Sequence, residues 1–515
     1  MWFRSILNST NSAAAGASRR SKKRPSPRRR AAQRPRLEGL EMRCLLSFSA
    51  PVDYAAGQFP ASVVAADFAN NGIQDLVVAN RGYFNGYTMT KANTISVLPG
   101  NGDGTFGAPE AYPTGASPIS VAVGDLTGNG KLNIVTGNNP YSPYSGSNAG
   151  SVSVLLGNGD GTFQPATTFD LPGVFPPGYT GTTPLTQEVS SIAVGDMNHD
   201  GHPDVVVTAG AGNSSDYIID VLLGNGRGGF SVATITTLPN GIQPTSVKLA
   251  DLGNGNLDVA AASGSSVAVL LGNGDGTFGA PTSFADPTAG DLAVGDVNGD
   301  GKLDLVTSGP AGVSVLLGNG DGTFQAAKYT ALPPPSNGGS LSAGALVMGD
   351  LNADGKLDLA VTATYEYLGS GGYDYSGANV DVLLGNGDGT FTAAQTIPGV
   401  SGFSITAADF NGDAFPDLAI TGGVIDGRVS VLLNGANWAP PAPAPSSFAL
   451  SGFPASTTAG TPGSITVAAL NADGTIDTGY TGTVRFSSSD GQAALPANYT
   501  FTSSDAGQHT FSATL

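Results

Sequence analysis

Apolar residues along this chain fall in short, β-branched runs broken by turn residues, a pattern that predicts strands rather than helices. Seven times an apolar run leads into an Asp-rich loop and a second apolar run leaves it, as in LAVGD (292–296) before one loop and DLV (304–306) after it. The loops begin at Asp67, Asp125, Asp196, Asp251, Asp296, Asp350 and Asp409, spaced 58, 71, 55, 45, 54 and 59 residues apart. That period suits a four-stranded unit with connections of variable length. A second motif follows most loops: LPGNGDGTF (98–106), LLGNGRGGF (222–230), and LLGNGDGTF at 155–163, 270–278, 316–324 and 383–391. An Asn-Gly or Asp-Gly turn between an apolar run and an aromatic residue is a strong hairpin signal. Each unit therefore reads as strand, acidic loop, strand, variable loop, strand, tight hairpin, strand.

The ends of the repeat predict how it closes. The last unit stops at VLLNG (431–435), without a fourth strand, while FSAPVDYAAG (48–57) ahead of the first unit matches the fourth-strand segment FGAPEAYPTG (106–115). The N-terminal strand is thus expected to complete the last unit, which removes the sheet edges an open array would expose. The expected organisation is a basic tail or targeting segment over 1–47 and a closed repeat body over 48–435. A stiff Pro-rich linker over 436–447 (ANWAPPAPAPSS at 436–447) follows, and then a partial β-sandwich over 448–515. The fold class is all-β.

Composition sharpens this picture. Gly (75) and Pro (34) together make about a fifth of the 515 residues, which favours turn-rich β structure, and 40% apolar residues suffice for a core. The net charge of −18 hides an asymmetry: residues 1–43 carry 12 of the 22 Lys and Arg, leaving ten basic against 38 acidic side chains in the rest. Such an acidic body repels nucleic acid and suits divalent cations. No apolar stretch is long enough to span a membrane, and the single Cys44 excludes an intrachain disulfide. Metal ions can stabilise an exported protein in place of disulfides.

Four loops share D-x-N-x-D-x-x-x-D: Asp196-Asn198-Asp200-Asp204, Asp296-Asn298-Asp300-Asp304, Asp350-Asn352-Asp354-Asp358 and Asp409-Asn411-Asp413-Asp417. Alternate side chains at positions 1, 3 and 5 converge when a short loop curls, and the position 9 carboxylate returns from the next strand. Hard oxygen donors of this kind suit Ca²⁺ better than a soft transition metal. An EF-hand starts similarly but needs flanking helices and a Glu at position 12, both missing here. Three loops are weaker: Asp67-Ala69-Asn71-Asp75 lacks a position 3 ligand, Asp125-Thr127-Asn129-Asn133 has lost two carboxylates, and Asp251 to Asp258 is one residue short. The expectation is about four calcium ions, and seven if every loop is filled.

These paired motifs resemble the FG-GAP or VCBS repeat family, the repeats of the integrin α-chain propeller. The resemblance implies a seven-bladed β-propeller, calcium in the loops between strands one and two, and an extracellular recognition or adhesion role. It names no ligand, and related propellers also occur beside lyase and phospholipase domains. The segment RLEGLEMRCLLS (36–47) is similar to a short R-L-E-x-L-E-x-R-x-L-L-S stretch near the start of some very large bacterial surface proteins. It implies a secreted or cell-surface location, and the tail resembles a partial bacterial immunoglobulin-like domain.

In an up-and-down unit the acidic loops and tight hairpins share one end of the ring, and the irregular insertions take the other. Ten of the 15 tyrosines lie in these insertions: Tyr83, Tyr87, Tyr141, Tyr144, Tyr179, Tyr217, Tyr365, Tyr367, Tyr373 and Tyr375. Tyr offers a flat ring and a hydroxyl at low entropic cost, suited to a cell-surface protein or a polysaccharide, although tyrosines also pack long loops down. Eight are taken as ligand-binding: Tyr83, Tyr87, Tyr141, Tyr144, Tyr365, Tyr367, Tyr373 and Tyr375. No G-x-S-x-G, HExxH or Cys–His pairing is present. His199 and His202 sit at spacer positions of one acidic loop, and His509 lies in the tail. The expectation is a recognition protein rather than an enzyme. The alternatives are a polysaccharide-acting, lyase-like enzyme, with Glu366 and Asp374 as candidate catalysts, and a structural spacer of a larger surface protein.

Overall fold

The computed structural model describes residues 36–39, 47–84, 89–139, 150–175, 185–211, 217–238, 242–310, 312–333, 340–369, 372–400, 402–422, 427–435, 447–452, 461–470, 475–477, 480, 483–487, 494–496, 499–501 and 505–514. These residues form strands and turns, and no helix among them is long and apolar enough to cross a membrane. The chain divides into two compact units, Cys44–Pro440 and a second made of Met1–Arg43 with Pro441–Leu515.

Among its described residues the larger unit holds seven four-stranded antiparallel sheets. The first is Pro60–Ala66, Asp75–Phe84, Met89–Leu98 and Glu110–Pro113, hydrogen-bonded in chain order. The first strands of the others are Pro118–Gly124, Gln187–Gly195, Ser246–Ala250, Asp291–Gly295, Ser340–Gly349 and Ile405–Ala408. Each first strand packs against that of the next sheet, and Ile405–Ala408 packs back on Pro60–Ala66, closing a ring. This is the arrangement of a β-propeller.

Burial follows from the stacking of sheet on sheet. Middle strands such as Asn133–Asn138 and Ser151–Leu155 are buried throughout, whereas outer strands such as Glu110–Pro113 are mostly exposed. The cores lie between neighbouring sheets: Val77, Ile95 and Val97 of the first sheet meet Val121, Ile134, Leu155 and Phe163 of the second. This explains why middle strands read as continuous apolar runs without alternation, since both of their faces are covered.

The ring is closed by the N-terminal segment. Val52–Ala55 pairs antiparallel with Arg428–Leu432 as the outer strand of the last sheet. Phe48 forms a bridge with Asn434 and packs, 1% exposed, among Leu351, Val380, Ile397, Leu418 and Leu432 of the sixth and seventh sheets. Arg428 Nη1 lies 3.0 Å from Asp53 Oδ2, with both side chains about half exposed, so this pair adds little.

Hydrogen bonds also cross from sheet to sheet around the centre. The Ser five residues before a loop Asp accepts the backbone N–H of the next first strand: Val63 N to Ser404 Oγ (3.2 Å), Val121 N to Ser62 Oγ (3.3 Å) and Ile192 N to Ser120 Oγ (3.3 Å). Asp291 takes this role in the fifth sheet, its Oδ2 accepting Leu346 N at 2.9 Å.

The smaller unit has two three-stranded sheets. One is Ser447–Ser451, Pro462–Leu470 and Gln508–Thr514; the other is Arg36–Gly39, Thr483–Ser487 and Tyr499–Thr500. Part of the expected basic tail is therefore a strand, paired with Thr483–Ser487. Ile465, Val467, Val484, Phe501 and Phe511 form this unit's core. The expected linker, apart from Ser447, lies outside the described residues.

Two predictions follow from this packing. Phe48→Ala should destabilise the ring by about 3–5 kcal/mol, against under about 1 kcal/mol for Arg428→Ala, both read from denaturant midpoints. Burial pushes the Asp220 carboxyl up to about 6, partly offset by Gln187. Because the folded state favours its neutral form, the stability that Asp220 withholds at neutral pH should return as pH falls through about 6 toward about 4. Asp220→Asn should stabilise at neutral pH by on the order of 2 kcal/mol, with the advantage shrinking across that window in melting scans.

Candidate functional site

The acidic loops are built on backbone geometry. Position 6 has positive φ in each of the six full-length loops, as at Gly201 (81°) and Gly301 (80°), and so does the fourth position. Gly suits this region, yet His199 (58°), Ala353 (58°) and Ala414 (70°) also occupy it. The position 1 carboxylate holds the curl. In the third sheet Asp196 Oδ1 accepts Asp200 N (3.2 Å) and Oδ2 accepts Gly201 N (2.9 Å). Asn198 Oδ1 accepts Asp200 N at 3.0 Å, and Asp200 Oδ1 accepts His202 N at 2.8 Å. In the shortened loop Asp251 keeps the role, accepting three amides, and Gly253 absorbs the missing residue at φ 121°.

Position 9 ties the loop to the third strand. Asp204 Oδ2 accepts Met197 N (2.8 Å) and its Oδ1 accepts Gly224 N (2.8 Å). The same two bonds recur at Asp75, Asp258, Asp304, Asp358 and Asp417. Asn133 makes only half of the clamp, accepting Gly157 N at 3.0 Å, because an amide has one acceptor oxygen; Leu126 N turns to the Gly124 carbonyl.

The tight hairpins reach the loop of the preceding sheet. Gly104 N donates to the Phe410 carbonyl (2.9 Å), Gly161 N to Phe68 (3.2 Å), Gly276 N to Met197 (3.1 Å), Gly322 N to Leu252 (3.0 Å) and Gly389 N to Val297 (3.3 Å). Acidic loops and hairpins therefore share one end of the ring. His199 and His202 are more than spacers: His199 Nε2 lies 2.9 Å from Asn256 Oδ1 of the next loop, and the half-buried His202 ring packs beneath Gly226. Only positive φ at a bulky residue could have hinted at this, and it is invisible in sequence.

The expected ligand sets thus sit as follows. Asp196, Asn198 and Asp200 share one short curl, half-buried at the first two and exposed at the third, with Asp204 buried beneath it, and the same holds for Asp296, Asn298, Asp300 and Asp304. It holds again for Asp350, Asn352, Asp354 and Asp358, and for Asp409, Asn411, Asp413 and Asp417. In each set burial raises the position 9 carboxyl above its usual range, its two amide bonds lower it, and the position 5 and position 1 carboxylates raise it further; Asp358 and Asp417 are pushed up to about 6. Among the described residues no three His, Cys, Asp or Glu side chains converge as a ready-made metal cage. The donor chemistry nonetheless suits a hard divalent cation, which would relieve this like-charge repulsion.

At the other end, two insertions expected as irregular loops are partly extended ribbons. Asp358–Gly369 pairs with Gly372–Gly385, placing Tyr367 opposite Asp374, Glu366 opposite Tyr375 and Leu368 opposite Tyr373 in the backbone register; Tyr365 pairs with Gly377. Asp75–Phe84 pairs with Met89–Leu98, with Tyr83 opposite Thr90. Tyr87, Tyr141, Tyr144 and Tyr179 lie outside the described residues. Tyr217, half-buried, packs into the core between the third and fourth sheets.

The first strands enclose a central cavity of about 780 Å³, whose lining includes Ser62, Ser120, Thr245, Lys248, Asp291, Thr364 and Phe403. The sequence reading missed it, because the residues meet only once the ring closes.

The model of a family described as FG-GAP-like repeat matches six stretches: 67–136, 144–207, 196–254, 252–307, 296–361 and 366–420. No curated protein matches the chain. Similar solved structures include an Agrocybe aegerita lectin described as recognising non-reducing terminal N-acetylglucosamine, 21% identical at a TM-score of 0.41, over 68% of this chain and 90% of that one. A rhamnogalacturonan lyase from Bacillus licheniformis is 12% identical at 0.42, over 74% of each chain. A Streptococcus pneumoniae sialidase is 11% identical at 0.39, over 75% of this chain and 70% of that one. At these scores none of them places an activity on this chain.

The loop geometry carries one prediction. Ala414→Gly should stabilise the ring by about 0.5–1 kcal/mol, seen as a higher denaturant midpoint, whereas Gly301→Ala at the same loop position should destabilise it.

Proposed function

Because this chain belongs to the FG-GAP-like repeat family, we propose that it is a calcium-stabilised, secreted or cell-surface recognition protein. In this reading it is a seven-bladed propeller that meets a cell-surface protein or polysaccharide with the end opposite its acidic loops. The observation that carries the calcium reading is electrostatic and repeated: the carboxylates at positions 1 and 5 both push up the position 9 carboxyl in four loops. In the first loop only Asp67 does so. A divalent cation turns that repulsion into attraction. Asp, Asn and Asp at positions 1, 3 and 5 would hold the ion, with position 9 supporting from below while it clamps the strand.

The recognition reading rests on the division of the ring into two ends. One end is uniform and tied together by amide bonds from hairpin to loop. The other carries the long ribbons with Tyr83, Tyr365, Tyr367, Tyr373 and Tyr375 on their strands; Tyr87, Tyr141 and Tyr144 lie outside the described residues. The acidic body argues against nucleic acid.

The test uses the full chain with and without calcium. Saturating calcium should raise the melting temperature, a ligand at 100 times its Kd adding about 2.7 kcal/mol per site, and chelator should reverse the shift. With calcium present, selective retention on a panel of polysaccharides and cell-surface proteins supports recognition, and replacing Tyr373 and Tyr375 by Ala should abolish it. A melting temperature indifferent to calcium overturns the cation reading. Soluble product released from a polysaccharide favours the enzyme alternative, and neither retention nor product favours a spacer.

A further inference from the structure

The central cavity lies among the seven first strands, and its wall is almost uncharged. Three residues before the loop Asp, six of these strands carry Val64, Ala122, Ala193, Ala293, Val347 and Thr406; the fourth sheet carries Lys248. Lys248 lines the cavity and is exposed within it. It makes no ion pair among the described residues. The other charged group of the wall, Asp291, is committed, since its Oδ1 accepts Leu292 N (2.8 Å) and its Oδ2 accepts Leu346 N (2.9 Å). A free ammonium group on a wall of small, apolar and hydroxyl side chains favours an anion over water.

The rest of the wall restricts which anion. Toward the end opposite the acidic loops, hydroxyls dominate, with Ser62, Ser120, Ser190, Thr245, Ser342 and Thr364 on the lining. Ser62 and Ser120 already accept a backbone amide, and Ser190, Thr245 and Thr364 already donate to backbone carbonyls, so each turns only its remaining hydrogen-bonding capacity to a hydroxyl-rich ligand. Phe403 lines the same mouth with 54% of its surface exposed, stacked on Phe59 of the next sheet at 5.7 Å between ring centres and 18° between planes. Phe59 holds φ at 56°, a conformation costly for a bulky residue and concentrated at functional sites. An exposed, braced aromatic face suits the apolar face of a sugar ring. Phe403 precedes its loop Asp by six residues and Lys248 by three, so the ring stands nearer the mouth and the ammonium deeper in the same cavity.

We propose that the central cavity takes the end of an acidic glycan, a uronate carboxylate on Lys248 and a neighbouring sugar ring on Phe403. The site rests on the recognition reading above and adds to it one ligand chemistry at a second place. It lies on the ring axis, apart from the tyrosine ribbons.

The test measures binding of short oligogalacturonates and oligomannuronates, and of their carboxyl-reduced counterparts, to the full chain by calorimetry and saturation-transfer NMR. Calcium is held constant, so that ion bridging at the acidic loops is common to all arms. The acidic sugars should bind at least about tenfold more tightly than the reduced ones. Lys248→Ala should remove that preference, Lys248→Arg should restore most of it, and Phe403→Ala should weaken both series alike. Melting temperatures of the Lys248 variants should match the parent, since Lys248 holds no partner in the wall, so lost binding is not lost folding. Equal binding of acidic and reduced sugars, or a preference that survives Lys248→Ala, overturns this site while leaving recognition standing. Failure of every saccharide here, together with failure of the retention panel, overturns both.

Discussion

The ring depends on one repeated interaction, a buried carboxylate that takes a backbone amide on each oxygen. One amide belongs to the second residue of the acidic loop and the other to the end of the third strand. Without it, two donors at each sheet would need other partners, as Leu126 N does where Asn133 stands, and amide hydrogen bonds to a charged acceptor are each worth about 1.5–3 kcal/mol. Its position fixes where the loop starts relative to the hairpin, and the hairpin in turn bonds the preceding sheet's loop. Local geometry and ring assembly are coupled through this group.

That coupling gives the acidic loops two layers of chemistry. The lower layer is structural and present in all seven sheets, degraded only where Asn133 replaces Asp. The upper layer, the side chains at positions 1, 3 and 5, varies from loop to loop without disturbing the curl: Asn129 accepts Lys131 N just as Asp300 accepts Lys302 N. The scaffold therefore tolerates loss of carboxylates at the surface. Retention of all of them in four loops is what asks for a cation, since clustered like charges otherwise cost stability.

Much of this was legible in the sequence because the repeat exposes its own rules. Seven Asp-rich loops, six hairpins and the match of 48–57 to 106–115 give the sheet count and the closing strand without any coordinates. The position 9 Asp reads in sequence as a cation ligand, and the structure shows it doing another task first. One of the two amides it accepts comes from a residue up to 27 positions along the chain, which no local pattern reveals. The tyrosine insertions read as irregular because Gly-rich stretches break alternation, yet backbone pairing carries Tyr365–Gly377 and its neighbours on as ribbon. Lys248 was hidden for a different reason. A single Lys in a strand is unremarkable until six other strands are seen to place small side chains at its level.

The account's central claim is that the position 1 and position 5 carboxylates of four loops hold calcium. Its most direct test is the stoichiometry of calcium bound to the full chain, by native mass spectrometry or equilibrium dialysis, with Asp→Asn changes at positions 1 and 5 of one loop at a time. The account predicts about four ions, with one lost for each of the loops at Asp196, Asp296, Asp350 and Asp409 that is altered, and none lost on altering the loop at Asp125. No bound calcium, or a count unchanged by these substitutions, would contradict it.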